Sequence, residues 1–293
     1  MRRFSFVTVD VFTSRALEGN GLAVFTDARG LSDSEMQALA REMHLSETTF
    51  IIPRDAATER ERGVKVRIFT VVSELAFAGH PTLGTAFLLA TARQTREVVL
   101  DLKVAPIRVT FSERDDAPFG EMTQRDPEFG MIHRADEVAA ASGVPIQSID
   151  ASPPIQTVTT GNPFAIVPLK SLDAVRALRA DWSRMHAYLK DTDAGFFYFV
   201  TRETEDPAAR LHARMQFFGG DDPATGSAAG PTAAWMVRYG IAQPDEQVLI
   251  EQGNEVMRPS RIFVRASRDG SRIHNVRAGG HVVEALRGEA SLP

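Results

Sequence analysis

The chain has 293 residues, 43% of them hydrophobic and 24% charged, with a formal net charge of −5 and no cysteine. This is an ordinary globular composition with length for about two domains. It excludes disulfides, thiolate nucleophiles and cysteine-based metal sites.

Basic residues are scattered. The densest stretch, Arg54 to Arg67, mixes Arg60, Arg62 and Lys65 with Asp55, Glu59 and Glu61. It reads as a solvated loop and argues against a nucleic-acid partner. No apolar run nears the roughly 18 residues of a membrane span, so no membrane role is expected. No secretory core follows the first residues, and the cytoplasm is the expected location.

In chain order, Phe4 to Phe12 and Leu22 to Phe25 read as strands. Ser32-Asp33-Ser34-Glu35 is a capping box opening a helix that runs to about Met43. Thr48 to Ile52, Val64 to Thr70, Val98 to Leu102 and Ile107 to Phe111 read as further strands. His80 to Ala92 is an uncharged run of helical length. Pro127 and Gly130, within Gln124 to His133, mark a domain boundary. Beyond it, weaker helices are expected at Asp136 to Ala141 and Leu172 to Ala180. Strands are expected at Gln156 to Thr159, Ala165 to Val167, Phe196 to Thr201, Ala213 to Phe218, Val248 to Glu251 and Ile262 to Val264. Ser227 to Val237 is a second uncharged helix.

A helix that is apolar all round is a buried helix. The expected class is therefore α/β (α+β), with two lobes, each a sheet curled around one central helix. The lobes are placed at residues 1–125 and 126–275. Residues 276–293 are read as a segment that returns to the first lobe.

The chain also repeats itself. Gly19-Asn20-Gly21-Leu22-Ala23 is echoed by Gly161-Asn162-Pro163-Phe164-Ala165, an offset of 142 residues (19 to 161). Arg67, Glu74 and Gly79-His80 are echoed by Arg214, Asp221 and Gly226-Ser227, an offset of 147 residues (67 to 214, 79 to 226). Two pairs in one order at nearly one offset argue for two halves of similar fold.

Each uncharged helix opens with glycine and a polar residue, Gly79-His80 and Gly226-Ser227. Free N–H groups and the helix dipole make such ends suited to an anion. If the halves pack about a pseudo-twofold axis, both ends would face one cleft and hold a small carboxylate. The plainer alternative is that these glycines only turn the chain into the helices. The glycine spacing of Gly79 to Gly84 is not a phosphate loop, because Thr85-Ala86 stands in place of Lys-Ser/Thr.

A proton-moving enzyme needs a base and a polarising group. Glu47, between a helix and a strand, is the candidate base, with its pKa raised by apolar neighbours; alone it would pass as a surface glutamate. His80 would be kept neutral by the helix N-terminus. Asp222 would bind an amine or relay a proton, or else cap the second helix. Asn20 and Asn162 follow glycines and read as turn residues.

These residues fall in segments that resemble one family. The segments are Leu17-Glu18-Gly19-Asn20, Leu45-Ser46-Glu47-Thr48-Thr49-Phe50, Glu74 to Gly84, Asp222-Pro223-Ala224-Thr225-Gly226-Ser227-Ala228-Ala229-Gly230, Gln252-Gly253 and Arg258-Pro259-Ser260. Together they resemble the PhzF family of phenazine-biosynthesis-like isomerases over essentially the whole chain. The chain departs from the family pattern at Gly21, Ala76, Asp221 and Met257.

The resemblance implies a diaminopimelate-epimerase-like fold, a homodimer and an isomerase without cofactor or metal. It implies Glu47 as the catalytic residue, and Ser46, Gly79, His80, Asp222, Gly226 and Ser227 as substrate-binding residues. The implied substrate is trans-2,3-dihydro-3-hydroxyanthranilate. An isomerase or epimerase of another small metabolite, and a non-catalytic binding protein, stay open as alternatives.

Overall fold

Antiparallel neighbours in a sheet can be joined by a turn, but parallel neighbours need a long crossover, usually a helix. That rule organises this chain, whose computed structural model describes residues 1–217 and 220–293. The chain divides into two compact units, Met1–Thr123 with Gly279–Pro293, and Gln124–Ala278.

The first unit holds β1 (Arg2–Val11), β2 (Asn20–Phe25), α1 (Asp33–Met43), β3 (Glu47–Ile52), α2 (Ala56–Arg62), β4 (Val64–Phe69), β5 (Glu74–Leu75), α3 (Gly79–Arg93), β6 (Glu97–Asp101), β7 (Pro106–Arg114) and β8 (Ala117–Thr123). β1 and β2 pair antiparallel, β2 and β3 parallel, β3 and β4 antiparallel, β4 and β6 parallel, and β6 and β7 antiparallel. The two parallel pairs are bridged by α1 and α3 respectively.

The second unit holds β9 (Glu128–Ile132), α4 (Ala135–Ser142), β10 (Gln156–Thr159), β11 (Pro163–Pro168), α5 (Leu172–Arg176), α6 (Trp182–Leu189), β12 (Phe196–Thr201), β13 (Ala209–Phe217), β14 (Gly220–Asp222), α7 (Gly226–Arg238), β15 (Val248–Gln252) and β16 (Ser260–Asp269). From β10 through β11, β12, β13 and β15 to β16 the pairings alternate antiparallel and parallel in the order seen in the first unit. Here α5 and α6 make the first crossover and α7 the second. The sequence repeat is thus a repeat of strand pairing.

The last strand, β17 (Arg272–Leu292), begins in the second unit, and its residues from Gly279 belong to the first. There it pairs antiparallel with β1, from Arg2 opposite Leu292 to Val11 opposite Val282, and it also pairs with β8. With β7 paired to β8, the strands of the first unit close into a ring.

The uncharged runs are buried helices. Residues Gly79 to Ala86 of α3 are all buried, as is nearly all of α7. α3 packs on β1, β2, β3, β6, β7 and β8, and α7 on β10, β11 and β16. Close approach needs small residues. A Cβ on Gly84 would come within 2.9 Å of Val9 and Val11 side chains, and one on Gly230 within 1.9 Å of Gln124 Oε1. The capping box forms as expected, with Ser32 accepting from Glu35 N and Glu35 accepting from Ser32 N.

Three expectations change. The charged stretch after Arg54 is not loop throughout: Asp55 accepts from the backbone N–H groups of Ala57 and Thr58 and opens α2, none of whose residues is buried. The helix expected to Ala180 stops at Arg176, and Asp181 caps a separate helix, α6, by accepting from Arg184 N. The stretch read as a boundary also carries a strand, β9, paired with β10, while the division between the units falls at its start, between Thr123 and Gln124. Of the expected strand Ala213 to Phe218, the final residue lies outside the described residues. Among the described residues, no helix is long and apolar enough to cross a membrane.

Candidate active site

Glu47 is the first residue of β3. His44 ends α1 in a left-handed conformation, φ 52°, and lets the chain turn into the strand. Parallel pairing sets Glu47 opposite Leu22, near the start of β2. Thr49, on the same strand, shares a 2.8 Å hydroxyl–hydroxyl bond with Thr85 in the middle of α3. That bond fixes the strand against the central helix. Ser46, just before the strand, is half-buried.

At the head of α3, Ala78 is the cap residue and offers no side-chain bond. Gly79, His80 and Pro81 form a buried first turn, with Pro81 where no helical donor is needed. His80 Nε2 lies 3.3 Å from Glu47 Oε2. Both atoms are buried, but they are not aligned as a hydrogen bond. On the other side of the ring, Nδ1 lies 3.2 Å from Asn20 Nδ2. Burial pushes the His80 pKa down to about 3, so the imidazole is neutral at any ordinary pH. The neutral histidine anticipated from the helix dipole is present, with desolvation as its cause.

In the second unit, Asp222 ends β14 three residues before the cap residue of α7, Thr225. Its Oδ2 accepts the Thr225 hydroxyl at 2.7 Å. Gln252, fully buried at the end of β15, holds this turn from behind. Its Nε2 donates to Asp222 O at 2.7 Å and to Thr225 Oγ1 at 2.9 Å. Its Oε1 accepts from Thr225 N at 3.1 Å and from the Tyr198 hydroxyl at 2.9 Å. Thr225 Oγ1 therefore accepts from Gln252 and must turn its own hydrogen to Asp222. Gly226 opens α7, and its carbonyl accepts from Gln124 Nε2 at 3.0 Å. Ser227 follows and is half-buried.

The repeated Arg and acidic residues are hairpin clamps. Arg67 on β4 grips Glu74 on β5 at 2.8 and 3.0 Å. Arg214 on β13 grips Asp221 on β14 at 2.6 and 3.1 Å. Each clamp sits five residues before the glycine that opens a central helix.

The structure thus brings Glu47 and His80 together in the first unit, and Asp222 close to the α7 start in the second. Sequence reasoning set Asn20 aside as a turn residue. It is instead a buried residue of β2 that bonds His80, whereas Asn162 does lie in a bend. Gln252 and Thr225 stood in the matched segments without a role, and Tyr198 gave no signal. Among the described residues, no three His, Asp or Glu side chains gather as a metal-ligand set.

The family model described as phenazine biosynthesis-like protein, PhzC-PhzF, matches residues 9–288. The chain belongs to this PhzC-PhzF family. It is 34% identical to an uncharacterized isomerase of Mesorhizobium japonicum, over 99% of each chain. It is also 34% identical to the trans-2,3-dihydro-3-hydroxyanthranilate isomerase of Pseudomonas aeruginosa, over 98% of this chain and 99% of that one.

Among solved structures, a PhzF-family phenazine biosynthesis protein of Bacillus anthracis matches with a TM-score of 0.89 at 24% identity, over 100% of both chains. A probable proline racemase of Agrobacterium radiobacter matches with a TM-score of 0.64 at 11% identity, over 99% of this chain and 93% of that one. These likenesses place the fold in the diaminopimelate-epimerase-like class that PhzF proteins share with racemases. Like its PhzC-PhzF relatives, the protein is an isomerase.

Proposed function

We propose that the protein isomerises a small cyclic amino carboxylate, trans-2,3-dihydro-3-hydroxyanthranilate, by moving one proton between ring carbons. The observation that carries this reading is the half-buried carboxylate of Glu47, whose buried Oε2 lies 3.3 Å from a neutral His80. The 34% identity to an isomerase named for that substrate supports it.

In the proposed cycle Glu47 takes a proton from one ring carbon and returns it to another, so no proton is gained or lost. The enol that results becomes the ketone. His80 stays uncharged and acts as a hydrogen-bonding group, and the cycle needs Glu47 as the carboxylate for proton abstraction. The first-turn N–H groups of α3 at Gly79, together with Ser46 and His80, are assigned to the substrate's polar groups. In the second unit the same binding role is assigned to Asp222, Gly226 and Ser227, with Asp222 aimed by the Thr225 hydroxyl.

The test follows the ultraviolet absorbance of trans-2,3-dihydro-3-hydroxyanthranilate mixed with purified protein. The expected result is enzyme-dependent loss of the diene band. Glu47→Gln should lower kcat by on the order of 10²- to 10⁴-fold with KM little changed, because an amide cannot accept the proton. An active Glu47→Gln protein would overturn the mechanism. An inert wild-type protein would remove this substrate. Equal identity to an uncharacterized isomerase makes another small carboxylate the second reading, tested on the same assay with other cyclic amino acids.

A further inference from the structure

We infer that Asn20 is a positioning residue that holds His80 in the single tautomer carrying its hydrogen on Nε2, facing Glu47. The argument deepens the proposed function and rests on its placing Glu47 and His80 at the reacting centre.

A neutral imidazole carries one hydrogen, and which nitrogen has it is set by the partner of the other. At His80 the partner of Nδ1 is the Asn20 side-chain amide nitrogen, at 3.2 Å. An amide nitrogen only donates, so Nδ1 must accept, and the hydrogen is left on Nε2. Nε2 is the atom turned to Glu47 Oε2 at 3.3 Å. With Glu47 as the carboxylate that the proposed cycle requires, and with the Asn20 amide oriented as it is, the opposite tautomer would set a bare nitrogen lone pair against a buried carboxylate oxygen and two donors against each other at Nδ1. Both conflicts lie in a buried setting, where neither is relieved by water.

The surroundings keep the arrangement rigid. Asn20 is 1% exposed and His80 3%. Asn20 begins β2, where it lies opposite Val11 of β1. The preceding Gly19 has φ +67°, and a Cβ there would come within 2.4 Å of Val11 O. The turn into β2 is therefore reserved for glycine, and it fixes where the Asn20 side chain starts. The same Gly-Asn pair recurs at Gly161-Asn162, but there the asparagine is half-buried in a bend. The tautomer device belongs to the copy whose helix begins with histidine; the other copy has Ser227 at that position.

The inference is tested by nitrogen-15 spectra of histidine-labelled full-length protein, without substrate, with the His80 signals identified by their loss in His80→Gln. The expected spectrum shows His80 with a protonated Nε2 and a bare Nδ1. A protonated Nδ1, or shifts averaged between the two tautomers, would overturn the inference. In Asn20→Asp a carboxylate faces Nδ1, and the expected change is protonation of Nδ1; an unchanged Nε2–H tautomer would overturn it. If Asn20→Asp does not fold, Asn20→Leu removes the donor at similar size; only Glu47 then opposes the other tautomer, so a larger Nδ1–H fraction than in the wild type is expected, and an unchanged spectrum would overturn the inference. Activity of Glu47→Gln is a separate readout. If that variant turns over normally while the wild-type tautomer is as stated, the proposed function fails and the assignment of Asn20 stands.

Discussion

At the scale of single residues, the protein spends buried polar groups on orientation. Gln252 makes four hydrogen bonds with no exposure to water, and three of its partners belong to the turn that presents Asp222. Its replacement by alanine would orphan the Thr225 N–H, the Asp222 carbonyl and the Tyr198 hydroxyl together. An unsatisfied buried group costs about 1–3 kcal/mol, and a water in the vacated space would recover part of that. The expected loss for Gln252→Ala is roughly 3–5 kcal/mol. It should appear as a lower urea midpoint at unchanged slope. A shift below about 1 kcal/mol would mean that the turn holds itself.

None of this was legible in the sequence. Tyr198, Asp222, Thr225 and Gln252 lie on four different elements or turns, and local periodicity carries no record of a bond between them. The element boundaries offered Glu47 and His80 only as candidates, each with a plain structural alternative, and it was the family resemblance of their segments that singled them out.

At the scale of elements, the two hairpin clamps look alike in sequence and differ in surroundings. Arg67 reaches Glu74 and the exposed Asp33. Glu74 is held below its ordinary pKa first by its bond to Arg67. Arg214 is buried and donates as well to the carbonyls of Val175, Arg176 and Leu178, at the end of α5 and just beyond. Removing Arg214 therefore strips three carbonyls and leaves Asp221 without its guanidinium.

Arg214→Met should cost about 3–5 kcal/mol, in the range for breaking a buried pair. Arg67→Met should cost about 1 kcal/mol, nearer the range for a solvated pair. Chemical denaturation of the two variants side by side checks the order, and equal losses would contradict it. The shared offset of Arg and acid was visible in the sequence, and it led to the repeat. The distinction was not, because the α5 carbonyls come from a segment about 40 residues away.

The same contrast explains which elements were read correctly. α1, α3 and α7 announce themselves through a capping box or a long uncharged run. α2 has no buried face and so no stripe to recognise. β9 is almost wholly exposed, and its residues show no alternation. β17 runs for 21 residues and changes its pattern of burial along the way, which defeats any single period.

At the scale of the whole molecule, two buried histidines titrate in opposite senses. Burial lowers His80 from 6.5 to about 3. Between those values the unfolded chain binds a proton that the folded first unit refuses, so the stability present above 6.5 is lost as pH falls.

His212, buried in the second unit, bonds Glu251 at 2.8 Å and Glu255 at 2.9 Å. Its burial opposes the charge, but the two carboxylates outweigh that and raise it from 6.5 to about 9. The folded unit keeps this proton where the unfolded chain releases it. The stability it confers is full below 6.5 and is lost as pH rises through about 9. That contribution is on the order of 3 kcal/mol.

Stability should therefore fall on both sides of neutrality. His80→Gln should flatten the acid arm and His212→Gln the alkaline arm, read as the difference in melting temperature from wild type across pH 4 to 10. A His212→Gln difference that does not shrink between pH 7 and 10 would contradict the assignment.

The path of β17 has a consequence in time. A ribosome releases the chain from its N-terminus, so the whole of Gln124–Ala278 emerges before Gly279–Leu292, the strand that sits between β1 and β8. The segment made first is thus the segment finished last, and until then β1 and β8 stand as open edges that could pair with another nascent chain. A chain arrested after Ala278 should show a protease-resistant second unit beside a digestible first one. Release of the remaining residues should protect both.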